Sequence, residues 1–166
     1  MMTVTQALSF LVFTVPIAVW VSWSDMKFMK IPNNAVIALA SVWLIVGVIV
    51  MPFESWLWGW ALLAIVLVIG FAANLVSLIG AGDAKFAAAM APFFVLADYR
   101  FVLALFAACL LGAFFTHRIA RRIPALAPLT TTWVSWTNKK FPMGLVLAGT
   151  LIFYLATPLW QMIRAG

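Results

Sequence analysis

Charge is what this chain has least of. Only 8% of its 166 residues are charged, ten Lys and Arg against four Asp and Glu, with one His. A soluble domain carries about 25% charged and about 45–50% apolar residues; here 67% are hydrophobic. A globule of this length leaves a large share of its surface in water and cannot hide that much apolar area. Soluble enzyme, nucleic-acid binder and disordered chain are therefore poor readings. Cysteine is as scarce. Cys109 stands alone, which excludes an intramolecular disulfide and a multi-cysteine zinc module. Its apolar surroundings make it a small buried residue. An isoelectric point near 10.1 would suggest nucleic acid in a soluble protein. In so apolar a chain it reflects a basic cytoplasmic side instead.

What is abundant is long apolar runs. A helix crossing the hydrocarbon needs roughly 20 apolar residues, with a range of about 17–25. Runs of that kind cover Ala7–Trp23, Ala35–Met51, Leu57–Ile79 and Met143–Trp160. The first has no preceding Lys or Arg and no following cleavage signal, so it reads as a span, not a removable leader. Two weaker runs cover Ala84–Ala97 and Phe101–Phe115. Fourteen residues rise about 21 Å, short of the roughly 30 Å of hydrocarbon. They read either as short spans shielded by neighbours or as a re-entrant hairpin. The expectation is one all-α domain over residues 1–166, a polytopic membrane helical bundle of about six transmembrane helices.

The loops set the orientation. The first, third and fifth hold eight basic residues, including Lys27, Lys30, Lys85, Arg118, Arg121, Arg122, Lys139 and Lys140. The other side holds Arg100 and Arg164. The positive-inside rule places the first group in the cytoplasm and both termini outside. Trp56, Trp58, Trp60 and Trp160 read as interfacial anchors. Residues 116–142, with Pro124, Pro128, Trp133 and Trp136, read as a loop on the headgroups whose basic ends attract anionic lipid.

Four acids make the search for chemistry short. Glu54 and Asp98 fall in outer loops, as solvated charges or helix caps. Asp25 and Asp83 instead lie at the cytoplasmic ends of spans, where ionisable residues are candidates for function. Asp83 follows Gly80-Ala81-Gly82, whose glycines open unusual backbone conformations and close approach. Its bland reading is an N-cap. For Asp25 the bland reading is a salt bridge to Lys27 or Lys30. Pro32 stands before the second helix, which Asn33 caps. If the two carboxyls meet, they share a proton and titrate as a pair. Such a pair hydrolyses an amide, one carboxylate activating water and the other assisting the carbonyl. His117 is too isolated to complete a metal site, and no metal or cofactor is expected. Ser77 and Asn74 read as hydrogen-bonding between helices from within the third span.

Gly80-Ala81-Gly82-Asp83 matches the Gly-x-Gly-Asp motif of intramembrane-type aspartic proteases. With Lys85 it resembles the Gly-Asp-x-Lys pattern of the type IV prepilin peptidases. Asp25, followed after four residues by Lys30-Ile31-Pro32-Asn33, resembles that family's first aspartate and its downstream signature. Phe141-Pro142-Met143-Gly144, with Ala148-Gly149, resembles a segment of its last span. The resemblance runs from Asp25 to Gly149 and is closest to the short Flp, or tight-adherence, type. It implies an inner-membrane aspartic endopeptidase that removes the basic leader of type IV prepilins and pseudopilins on the cytoplasmic side. Asp25 and Asp83 would be its catalytic pair, and Gly80, Gly82 and Lys85 its active-site loop. Lys30, Ile31, Pro32 and Asn33 would support them. Without a paired-cysteine domain, no methyltransferase activity is expected. The implied partners are a prepilin substrate and membrane lipid, not nucleic acid. The alternatives are a transporter, which calls for acids near mid-span, and a non-catalytic pilus assembly subunit.

Overall fold

The computed structural model describes residues 2–123, 130–138 and 140–165. Pro124, Pro128 and Lys139 lie outside the described residues. Six helices make up the bundle, and no strand occurs among the described residues. They are α1 Val4–Phe28, α2 Asn33–Val50, α3 Phe53–Leu75, α4 Ala81–Met90, α5 Tyr99–Ala120 and α6 Met143–Ala165. A π-helical segment, Trp43–Gly47, interrupts α2, and a 3-10 turn, Ala91–Phe94, extends α4. Five helices are long and apolar enough to cross a membrane; α4 is not among them. The short connections after α1, α2 and α3 force antiparallel neighbours.

The weak fourth and fifth runs resolve differently. The fifth is a full-length helix, because Thr116–Ala120 continue it where a loop was expected. The fifth run thus has the length of a span in its own right. The fourth is short and shielded. Its many alanines let α2, α3 and α6 close around it, and Ala84, Phe86, Ala88, Ala89 and Phe93 are buried. The helices around it instead turn apolar side chains outward, as lipid requires: Ile49, Val68, Leu103 and Ile119 are each at least 60% exposed.

The core's centre is aromatic. Phe10 stacks on Trp43 at 5.5 Å, and both meet Phe93 edge-on. Trp43 and Trp56 each donate an indole N–H to the other's carbonyl, at 3.3 and 3.1 Å. Trp56 is thus a packing residue more than an interfacial anchor, while Trp58 and Trp160 remain well exposed. Two further expectations change. Leu75 ends α3, so Ser77 lies beyond it at φ 59°, and Asn74 donates to the Ile79 carbonyl of the following loop instead of bridging helices. Cys109 is half-buried, not buried. Asp98 caps α5, accepting the Arg100 N–H at 2.8 Å, and Glu54 lies in the first turn of α3.

Candidate active site

At one end of the bundle α1 runs past its apolar stretch to Phe28, so Asp25 sits inside its last turns and is only 5% exposed. A buried carboxylate needs a partner. The Lys27 ammonium lies over the Trp23 and Phe28 rings, at 4.9 and 5.2 Å. Asp25 instead takes a backbone partner: Gly144 N–H donates to its Oδ2 at 2.7 Å. Gly144 is the second residue of α6. Its N–H is one of the donors that a helix start leaves unpaired, at the positive end of the dipole.

Asp83 repeats the arrangement on α4. Gly80, not Asp83, is the N-cap residue, and Asp83 is the third helical residue. Its half-buried carboxyl accepts the Gly80 backbone N–H. That hydrogen bond and the nearby Lys140 ammonium both favour its ionised form. Neither Gly80 nor Gly82 has a positive φ. The reason for glycine is close approach: a Cβ on Gly80 would lie 2.6 Å from Asp83 Oδ2.

The chain between α1 and α2 joins the two segments. Met29 adopts φ 53° and ends α1, its N–H donating to the Asp25 carbonyl at 2.8 Å. Ser24 Oγ donates to the Lys30 carbonyl at 2.8 Å. Pro32 is the N-cap residue of α2, so Asn33 is its first helical residue and makes no side-chain cap. Its Oδ1 accepts from Lys85 Nζ at 3.2 Å instead, tying α2 to α4. Ile31 packs against Gly82, where a Cβ would stand 3.4 Å from Ile31 Cβ. Two motifs about fifty residues apart thus touch at two points.

Between them opens a cavity of about 350 Å³. Both carboxyl-bearing residues line it, with Lys30, Ile31, Asn33, Gly80, Gly82 and Lys85; of the residues assigned to the two aspartate motifs, only Pro32 does not. Lys140, Phe141 and Met143, at the approach to α6, supply another wall. In the sequence alone Lys140 stands only as a basic loop charge. The signal for Gly144 was its place just after Pro142, where a helix start exposes free N–H groups. Among the described residues no group of three His, Cys, Asp or Glu side chains comes together. The arrangement offers two carboxyls, each held by a backbone N–H, on one cavity at the end of an apolar bundle. That is a setting for acid–base chemistry on a segment reaching this end of the bundle.

No curated protein and no solved structure matches the chain. A model of the type IV leader peptidase family matches residues 12–117, more than half of it. The match includes Asp25 and Gly80–Asp83 and stops before Gly144. With its five long apolar helices, the chain is a multi-pass membrane protein, and it belongs to the type IV leader peptidase family.

Proposed function

We propose that this protein is a membrane aspartic endopeptidase that cuts the basic leader from type IV, Flp-like prepilins and pseudopilins. Asp25 and Asp83 form its catalytic pair. One carboxylate takes a proton from water as the oxygen attacks the scissile carbonyl carbon. The other, protonated, donates to the carbonyl oxygen. Collapse of the intermediate breaks the C–N bond and sends a proton to the departing amine. The observation that carries this reading is the single cavity lined by both aspartates and by nearly all of both motifs.

Lys30, Lys85 and Lys140 stand on that cavity, and Arg118, Arg121 and Arg122 line its neighbour. The positive-inside rule assigns this end to the cytoplasm of a bacterial inner membrane. With α4 as a sixth, short pass, both termini lie outside. A prepilin fits such a site: its apolar helix rests in the bilayer and leaves the leader junction at the cytoplasmic interface.

The test is co-expression of a Flp-type prepilin with the wild type, Asp25→Asn or Asp83→Asn at matched membrane levels. Mature pilin is expected with the wild type alone, and cleavage is expected to survive EDTA. Wild-type cleavage by either variant rejects the pair. A wild type that cuts no prepilin rejects the substrate class.

A further inference from the structure

A second polar cavity, of about 310 Å³, lies at the end of α5. Phe114, His117, Arg118, Arg121, Arg122 and Phe141 line it. None of the chain's four acids does so. Arg118, Arg121 and Arg122 are three and four positions apart, on one face of α5 and the turn that continues it. Like charges at that spacing repel. The negative end of the helix dipole explains cations at this helix end. It does not explain their convergence on one cavity with an imidazole. The His117 ring stacks on Trp136 at 4.7 Å and meets Phe141 edge-on at 5.7 Å. Its Nε2 is buried and has no hydrogen-bond partner among the described residues. A buried polar atom left unpaired is costly and calls for a partner.

We propose that this cavity binds the phosphate of an anionic membrane phospholipid. A phosphodiester anion offers several acceptor oxygens and one negative charge. Guanidinium groups match that geometry with paired N–H donors. Leu111, Phe115 and Ile119, further back along α5 and through its last turn, are each more than half exposed. They give acyl chains an apolar track that a free phosphate would not use. Phe141 lines both this cavity and the one holding the aspartates. On the peptidase reading above, the bound phosphate also lowers the positive potential that a basic leader meets. The binding itself does not depend on that reading.

Full-length protein is reconstituted in nanodiscs of phosphatidylglycerol or of phosphatidylcholine with the same acyl chains. Retained lipid is counted by native mass spectrometry. The wild type is expected to keep one phosphatidylglycerol with at least roughly tenfold preference, each arginine contributing about fivefold. Arg118→Gln/Arg121→Gln/Arg122→Gln is expected to abolish the preference. Arg164→Gln, whose guanidinium lies over Trp160 in α6, is expected to keep it. Should the triple variant not fold, Arg121→Gln alone is expected to cut the preference about fivefold. No preference in the wild type, or an unchanged one in the arginine variants, overturns the site. Displacement of the lipid by millimolar inorganic phosphate reassigns the cavity to free anions and overturns the lipid. Because cleavage is not the readout, failure here leaves the peptidase reading standing.

Discussion

Gly59 and Gly144 solve the same geometric problem in different parts of the bundle. A Cβ on Gly59 would lie 2.4 Å from the Trp43 ring. A Cβ on Gly144 would lie 2.9 Å from Asp25 Cβ and 3.0 Å from its Oδ2. In the first region the missing side chain lets an indole fill the space beside Phe10 and Phe93. In the second it lets a carboxylate reach a backbone N–H. Phe10 lies fifteen residues before Asp25 on the same helix, about 22 Å away along its axis. One region uses close packing for cohesion, the other for position. Mutation should therefore separate stability from turnover.

The sharpest separation is expected at the carboxylates. Asp25→Asn and Asp83→Asn should each lower prepilin cleavage by about 10³-fold or more while the thermal midpoint holds. A variant that loses activity only by unfolding would erase the contrast. Gly144→Ala should come next. Its methyl displaces Asp25, and cleavage should fall by about 100-fold with a small change in melting. Gly59→Ala should do the reverse, lowering stability by about 1–3 kcal/mol through overpacking against Trp43. Cleavage per folded molecule should then stay within about twofold of wild type, read by normalising rates to the folded fraction.

Much of this was legible because lipid imposes a coarse code. Long apolar helices announce themselves, and α1, α2, α3 and α6 stood out as runs. Asp25 and Asp83 stood out because acids are so few. The limits of α1 and α5 did not, since Asp25, Thr116 and His117 resemble loop residues; only the structure shows Asp25 buried against the start of α6 and His117 stacked on Trp136. The shielding of α4 is likewise a property of α2, α3 and α6, not of its own sequence. The Gly144–Asp25 hydrogen bond joins positions 119 apart, and no local periodicity reports such a contact. The link between Asn33 and Lys85 is equally remote, although both residues stood in recognisable motifs.

That α6 supplies the N–H for Asp25 also orders events in time. The ribosome delivers α6 after every other helix described here. A nascent chain can place both aspartates in the membrane while Asp25 still lacks its donor and the cavity lacks the wall of Lys140, Phe141 and Met143. Completion of the site therefore waits for the docking of α6, and a chain stalled after α5 carries both acids in an unfinished site.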